Sequence, residues 1–332
     1  MTAPTPPVPE PPQFVSTGRL PEPGDVDRRL AEAHARFAGV TEGAPSDVYP
    51  ALTRVPPDLF GLCVVGTSGR VTAAGDADHP FTIQSVAKPF VFALVCERLG
   101  ADAMRERVGA DATGLPFNSV AAVERGGGVT NPMVNPGAIV TTSLVPGRDA
   151  AERWRFLHEG LSAFAGRELE VDEEVLESAL ASNARNHAIA RLLQSYGRLG
   201  CDPHGTVELY TRQSCLRVTA RDLATMGATL ADGGVNPVTG RRVVDGRVCH
   251  STLAAMVTAG MYERSGQWFS EVGLPAKSGV GGGIVTVSPG KGGMGVFSPR
   301  VDAAGNSVRG QLATRHLSTR LGLHLLLSEP ER

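Results

Sequence analysis

The stretch Gln84-Ser85-Val86-Ala87-Lys88 opens an apolar segment that runs to about residue 99 and is followed by Gly100. This pattern predicts a buried helix that begins at Ser85 and ends before Gly100. Side chains three residues apart share one side of a helix, so Ser85 and Lys88 are expected to lie together in its first turn. The N–H groups and dipole of that turn favour developing negative charge. We therefore interpret Ser85 as a candidate nucleophile and Lys88 as its candidate base.

Lysine is rare in this chain. Lys88, Lys277 and Lys291 are the three lysines among the 32 lysine and arginine residues. Arginine keeps its proton in a protein, whereas a buried or crowded lysine can lose it and act as a base. The three lysines are therefore candidates for amine chemistry, and codon bias with three chance survivors is the alternative explanation. Lys291 lies in no motif and receives no role.

A second lysine motif, Lys277-Ser278-Gly279-Val280, is followed by glycines at 281–283. Glycines let backbone approach a reactive centre closely, and an edge strand here can supply a backbone N–H to an oxyanion hole. A glycine-rich hairpin without chemistry is the alternative. Ser-x-x-Lys followed much later by Lys-Ser-Gly is the layout of active-site serine acyl transferases. The two motifs together favour a covalent acyl-enzyme on Ser85, with Lys277 either transferring protons or positioning its strand.

Composition restricts the class of protein. The 332 residues have a net charge of −2, which gives no electrostatic reason to expect nucleic acid or a membrane surface as a partner. No apolar run reaches membrane-spanning length, and the N-terminal residues lack the pattern of a secretory signal, so we expect neither a membrane span nor a signal peptide. The five cysteines are odd in number and widely spaced, which favours reduced thiols in the cytoplasm. No cluster of His, Cys and carboxylate residues has metal-ligand spacing, so no metal is expected.

The order of predicted elements gives the fold class. Eight of the 24 prolines fall in the first 23 residues, which predicts a disordered tail over 1–24. Asp25 is expected to cap a first helix, and Ser251 to cap a later helix that ends at Gly260. Further patterns predict a hairpin of strands 59–65 and 70–74, helices over 149–164, 171–181, 183–196 and 219–232, strands over 284–288 and 294–297, and a last helix over 308–326.

Strands at both ends of the chain around a helical middle predict an α+β fold. We expect one antiparallel sheet built from both chain ends and flanked by helices, with an inserted helical lobe. The sheet lobe comprises residues 25–80 and 260–332, and the helical lobe comprises 81–259. A catalytic cleft is expected between the lobes.

Longer strings now carry a resemblance to a known family. Residues 131–139, Asn-Pro-Met-Val-Asn-Pro-Gly-Ala-Ile, closely resemble the N-P-M-V-N-A-G-A-I signature of the serine-dependent glutaminases. Segments 260–267 and 272–280 are similar to the C-terminal block of that family, and 233–240 and 305–310 also fit. The similarity runs in order from about residue 25 to 327. It implies a fold like that of the serine β-lactamases, transpeptidases and penicillin-binding proteins.

The resemblance also implies an activity, namely hydrolysis of L-glutamine to L-glutamate and ammonia without a metal or organic cofactor, by a homodimer or homotetramer. Ser85 is implied as the nucleophile, and Lys88 and Tyr262 as the groups that handle its proton. The backbone N–H groups of Ser85 and Val280 are implied as the oxyanion hole. The implied substrate-binding residues are Ser85, Asn135, Asn186, Tyr210, Tyr262 and Val280.

Two departures from the family pattern concern substrate binding. Val48 stands where the family has a tyrosine, with Tyr49 one place later, and Ala179 stands where it has a glutamate. That glutamate is the natural partner of the ammonium of glutamine. Pro136 replaces an alanine and removes a backbone N–H beside Asn135. These changes keep open a glutaminase-like protein with an altered amide substrate, or a low-activity glutamine-binding protein. A penicillin-recognising hydrolase is disfavoured by the cytoplasmic signals and the glutaminase strings.

Overall fold

The computed structural model describes residues 18–327. Most of the predicted proline-rich tail, residues 1–17, lies outside the described residues. Thirteen α-helices occur in the described part: α1 Pro23–Phe37, α2 Ala87–Leu99, α3 Ala101–Val108, α4 Val120–Arg125, α5 Asn135–Ser143, α6 Ala150–Ala165, α7 Glu173–Ala181, α8 Ala184–Ser195, α9 Pro203–Ser214, α10 Ala220–Ala231, α11 Gly246–Ala259, α12 Ser265–Val272 and α13 Val308–Arg320. Its strands are β1 Gly61–Gly66, β2 Val71–Gly75, β3 Phe81–Thr82, β4 Glu170–Val171, β5 Leu216–Val218, β6 Ala276–Ser278, β7 Gly283–Ser288 and β8 Gly292–Phe297.

Both ends of the chain build one antiparallel sheet, as predicted. Its strand order is β2-β1-β8-β7-β6. The predicted hairpin pairs Gly61 with Gly75, and β1 also pairs with β8, where Gly61 faces Phe297. A second, three-stranded sheet of order β3-β5-β4 was not predicted, because two- and three-residue strands carry too little periodicity to be recognised.

The two faces of the large sheet bury separate hydrophobic cores. Along β1, Cys63 and Val65 pack into the core shared with the helical middle, whereas Leu62 and Val64 pack into a core shared with α1, α12 and α13. This alternation is the period-2 pattern of a strand that is covered on both faces. The chain is therefore layered as helices, sheet and helices.

Helix α2 lies inside the helical middle. Every residue from Ala87 to Cys96 is buried, as expected for a helix that is apolar all round. Gly100, with φ of 90°, follows its last residue, as predicted. Helix α10 packs against β8 at very short range, because a Cβ atom on Gly293 would lie 2.2 Å from the Ala228 nitrogen.

Several predicted boundaries are wrong, each for a local reason. Helix α1 begins at Pro23, so the tail does not extend to residue 24, and Asp25 lies in the first turn instead of capping it. Proline is favoured at this position because its missing N–H would have no helical partner. Helix α11 is capped by Asp245, whose side chain accepts from the Arg247 N–H, and Ser251 lies inside it. Helix α13 ends at Arg320 instead of residue 326.

The predicted capping box of α10 is confirmed, with Thr219 and Asp222 as the reciprocal pair. Lys291 also acquires a structural contact: its Nζ donates to the Gly322 carbonyl at 3.0 Å and ties the β7–β8 turn to the residues after α13. Within residues 18–327, no helix combines the length and the apolar character needed to cross a membrane.

Candidate active site

Ser85 lies in a strained turn immediately before α2. Residues Gln84–Val86 form a single 3₁₀ turn, so the helix begins two residues later than predicted. Gln84 has φ of 48°, a left-handed conformation that is uncommon for a residue with a side chain. Its Nε2 donates to the Thr82 hydroxyl at 2.9 Å, which holds the turn in place. The strained turn leaves Ser85 partly exposed although its neighbours are buried.

Lys88 lies one turn further along and is buried, with 2% of its surface exposed. Its Nζ donates to Asn135 Oδ1 at 2.7 Å. Burial lowers the pKa of this amine from 10.5 to about 7, because desolvation disfavours the charged form. A large fraction of Lys88 is therefore neutral near neutral pH, which is the state that a general base requires.

Asn135 is the first residue of α5 and joins three polar side chains. Besides accepting from Lys88, its Oδ1 accepts from the Tyr210 hydroxyl at 3.1 Å, and its Nδ2 donates to Asn186 Oδ1 at 3.1 Å. Pro136 occupies the second helical position, where a backbone N–H would find no helical acceptor. The proline that departs from the family pattern is therefore compatible with the helix start.

Tyr262, from the C-terminal part of the chain, lies beside Ser85. It also has a left-handed backbone, with φ of 55°, and its phenol donates to the Ser278 carbonyl at 3.1 Å. Burial raises the pKa of the phenol, and a hydrogen bond with the Ser85 hydroxyl opposes part of that shift. The phenol is therefore protonated at neutral pH and lies within reach of the Ser85 hydroxyl.

Lys277 lies against Tyr262, with its Nζ 4.3 Å from the centre of the ring. The ammonium donates to the Gly260 carbonyl at 3.0 Å and to the Ser278 carbonyl at 2.6 Å. Burial, followed by the charge of nearby Lys88, holds its pKa well below the ordinary value. These contacts tie Lys277 to the strand and to Tyr262, which favours its positioning role.

The glycines beside β6 allow that segment to approach the Ser85 turn. A Cβ atom on Gly279 would lie 3.1 Å from the Ile83 carbonyl, and one on Gly281 would lie 3.2 Å from the Thr82 carbonyl. Within residues 18–327, no protein acceptor takes the backbone N–H of Ser85 or of Val280. Two unpaired N–H groups at one cleft are the requirement for an oxyanion hole.

These elements surround a cleft with a volume of about 210 Å³. Five of the predicted site residues line it, whereas Lys88 and Tyr262 do not line it but contact two residues that do, Asn135 and Ser85. Both of the lobes proposed from the sequence contribute to the lining. The predicted residues that line the cleft are Ser85, Asn135, Asn186, Tyr210 and Val280.

The two departures from the family pattern lie in different environments. Val48 lines the cleft and is 48% exposed, and Tyr49 beside it also lines the cleft. Burial raises the pKa of Tyr49 to about 12. Ala179 is fully buried in the apolar cluster that also contains Tyr262 and Val280. Among the described residues, no carboxylate lines the cleft, and the charged side chain in its lining is that of Arg185.

Sequence reasoning missed two buried polar residues that line the cleft, Asn183 and Thr211. Asn183 Oδ1 accepts from Asn186 Nδ2 at 2.9 Å, and its Nδ2 donates to Thr211 Oγ1 at 2.5 Å. The available signals were an asparagine three residues before Asn186 and a threonine directly after Tyr210. Both patterns are too common to be distinguished from ordinary capping and core residues.

The donor set does not suggest a metal. Within residues 18–327, no group of three or more His, Cys, Asp or Glu side chains is placed to hold an ion. The arrangement provides a hydroxyl beside a phenol, a buried amine of lowered pKa, and two backbone N–H groups. This is the equipment for nucleophilic attack on a carbonyl carbon, with proton transfer and stabilisation of an oxyanion.

Comparison with known proteins identifies close relatives. The family model described as Glutaminase matches residues 43–326. A protein named Glutaminase 2 from Yersinia pestis is 61% identical over 318 residues, covering 96% of this chain and 94% of the relative. A glutaminase from Brucella canis is 49% identical over 301 residues, covering 90% and 95% of the two chains.

Solved structures give the same result. The structure of the protein ybaS, described as a probable glutaminase, superposes with a TM-score of 0.91 at 41% identity, and the match covers 92% of this chain and 100% of that one. A probable glutaminase from Bacillus subtilis, complexed with 6-diazo-5-oxo-L-norleucine, gives a TM-score of 0.81 at 30% identity, covering 92% and 97%.

Proposed function

The chain belongs to the glutaminase family and acts on the amide of glutamine, and from that premise we propose that it hydrolyses L-glutamine to L-glutamate and ammonia through an acyl-enzyme on Ser85. Its fold is the β-lactamase-like fold of the family, as the resemblance implied. One observation carries the mechanism. The Ser85 hydroxyl contacts the Tyr262 phenol at a cleft where the Ser85 and Val280 N–H groups have no acceptor in the described part of the chain.

In the first step, the Ser85 oxygen attacks the side-chain carbonyl carbon of glutamine, and the neutral Lys88 amine takes up the proton, either directly or by exchange with the proton of the Tyr262 phenol. The carbonyl oxygen becomes an oxyanion that accepts from the Ser85 and Val280 N–H groups. The C–N bond then breaks, the departing nitrogen takes up the proton, and ammonia leaves. The product of this step is an ester between Ser85 and the glutamyl group.

In the second step, water attacks the ester carbon and its proton passes to the same basic groups. The bond from the Ser85 oxygen to the carbonyl carbon breaks, Ser85 recovers a proton, and L-glutamate is released. Asn135, Asn186 and Tyr210 are proposed to hold the amino-acid end of the substrate. Asparagine both donates and accepts, which suits a carboxylate and an ammonium group.

The alternatives considered from the sequence, an altered amide substrate or a protein of low activity, are not favoured, since the family match and the named relatives all indicate a glutaminase. We also propose a homo-oligomer in the cytoplasm. The family resemblance supports the oligomer, and five free thiols, four of them buried, support a reducing compartment. Size-exclusion chromatography with light scattering checks the oligomer.

Ammonia release from L-glutamine tests the proposed reaction. The wild-type protein is expected to release one ammonia per glutamate, and Ser85→Ala is expected to abolish release without changing the circular dichroism spectrum. Ser251→Ala serves as the control and is expected to keep full activity, because Ser251 is a half-buried serine inside α11 that does not line the cleft. Turnover retained in Ser85→Ala would exclude the acyl-enzyme.

A further inference from the structure

A chain of hydrogen bonds runs from Lys88 through three asparagines to helix α9. Lys88 donates to Asn135, Asn135 donates to Asn186, and Asn186 donates to Asn183. Asn183 then donates to the Thr211 hydroxyl. The Thr211 hydroxyl donates to the Val207 carbonyl at 2.7 Å. Each group donates to the next one in the same direction along the chain.

The direction of donation along these hydrogen bonds is set at the Val207 carbonyl. The Val207 carbonyl can only accept, so the Thr211 hydroxyl must donate to it and can then only accept from Asn183. The Asn183 amide must therefore point its nitrogen at Thr211 and its oxygen at Asn186. Asn186 then donates its nitrogen to Asn183 and accepts from the nitrogen of Asn135, so the oxygen of Asn135 faces Lys88.

The placement of Asn183 is unusual for an asparagine at a helix start. It is the N-cap residue of α8, but its side chain accepts no backbone N–H of that helix. A free N-cap asparagine ordinarily makes that bond, which is worth about 1 kcal/mol. Both atoms of its amide instead serve the chain of hydrogen bonds, and both Asn183 and Thr211 are buried.

We propose that Asn183 and Thr211 are positioning residues for the reaction, because they hold the oxygen of Asn135 toward Lys88 and leave the lone pair of the amine free. In the reversed orientation, Asn135 presents its Nδ2 to Lys88, and only a neutral amine can accept that bond. The lone pair that should take a proton is then occupied. This inference rests on the proposed role of Lys88 as base.

The charged and titratable groups around Lys88 come from other parts of the fold. Tyr210 on α9 has its ring 5.9 Å from the amine, and Lys277 on β6 interacts with it electrostatically. Tyr262 and Tyr49 interact in turn with Tyr210. The substitutions proposed next leave all four of these side chains in place, so a change in the titration of Lys88 reports the orientation of Asn135.

The pKa of Lys88 can be followed directly, since the chain has three lysines and ¹³Cε-labelled lysine gives three NMR resonances. Lys88→Met assigns the relevant one. Thr211→Val removes the hydroxyl that fixes the direction of the hydrogen bonds. We expect it to lower the pKa of Lys88 by about one unit and kcat by about tenfold, because each change corresponds to the free energy of about one hydrogen bond. Thr211→Ser keeps the hydroxyl and is expected to restore both values.

Thr252→Val is the matched control, because Thr252 is a buried threonine on α11 whose hydroxyl also donates to a carbonyl of its own helix. It is expected to leave the pKa of Lys88 and the pH profile of kcat unchanged. A native pKa and native pH profile in Thr211→Val would overturn the proposal. Loss of activity without a pKa change would assign Thr211 a purely structural role and would overturn it equally.

A second variant covers the case in which Thr211→Val does not fold. Asn183→Ala removes the acceptor of the Asn186 nitrogen, and with it the group that sets the direction of Asn186 and Asn135. We expect a lowered pKa of Lys88 in this variant, and a native pKa contradicts the proposal. If Lys88→Met retains full activity, the role of Lys88 as base fails, while the NMR titration still tests the orientation of Asn135.

Discussion

Replacing Lys88 by methionine is expected to change stability in a way that depends on pH. Lys88 is buried and has no carboxylate partner among the described residues, and its pKa falls from 10.5 in the unfolded chain to about 7 in the folded protein. The unfolded chain therefore binds more protons than the folded protein between these two values, so the lysine destabilises the fold. The penalty is complete below pH 7 and disappears as pH rises through 10.5.

The size of the effect follows from linkage. At about 1.36 kcal/mol per pKa unit, the penalty is about 4 kcal/mol at pH 7 and about 2 kcal/mol at pH 9. Methionine has a similar length and no charge, so it carries no such penalty. Loss of the hydrogen bond to Asn135 adds a term that does not depend on pH. The advantage of Lys88→Met over the wild type should therefore shrink by about 2 kcal/mol between pH 7 and pH 9.

Urea unfolding of both proteins at pH 7, 8 and 9 measures this difference. Because both proteins are compared at each pH, the titration of other groups cancels, except for that of Lys277, whose pKa also responds to the charge of Lys88. The measurement is therefore repeated in a Lys277→Met background. A stability difference that is the same at pH 7 and pH 9 would refute the lowered pKa of Lys88 and the argument for its role as base.

Two further predictions follow from other parts of the structure. Gly293→Ala is expected to destabilise the protein by about 3 kcal/mol in urea unfolding, because the added Cβ would meet the backbone of α10. Gly266→Ala is the control, since Gly266 has open space around it, and it should change stability by less than about 1 kcal/mol. Equal effects of the two substitutions would contradict the close packing of α10 on β8. Since no carboxylate lines the cleft within residues 18–327, blocking the amino group should remove little binding energy. N-acetyl-L-glutamine is expected to be hydrolysed with kcat/KM within about tenfold of that for L-glutamine, and a preference for the free amino acid above about a hundredfold would show that an ammonium partner is present.

The sequence was sufficient for the class of fold and for the region of the site. Alternation in β7 and β8 and the hairpin of β1 and β2 are strong local signals, and the family strings fix the rest of the topology. The spacing of Ser85 and Lys88 also indicated the reactive turn. It could not show that this turn is a 3₁₀ segment preceded by a left-handed Gln84, because that conformation is imposed by the surrounding packing.

The polar contacts of the site were less predictable than its location. Nothing in the sequence distance between Asn135, Asn183 and Thr211 indicates that they are joined, since α5, α8 and α9 bring them together only in the folded chain. The burial of individual site residues could not be predicted from the sequence either. The sequence identified Ala179 as a departure from the family pattern, but only the structure shows an apolar cluster around it.

The left-handed residues Gln84 and Tyr262 have a consequence for engineering. Each such backbone costs about 1–3 kcal/mol that the surrounding fold must offset. Glycine at position 84 relieves that strain, whereas glycine at 262 also removes the phenol. Selection of variants for heat tolerance alone will therefore favour glycine at these two positions, which at position 262 removes the phenol from the proposed site. Screens for hardier forms of this enzyme must score turnover in every round.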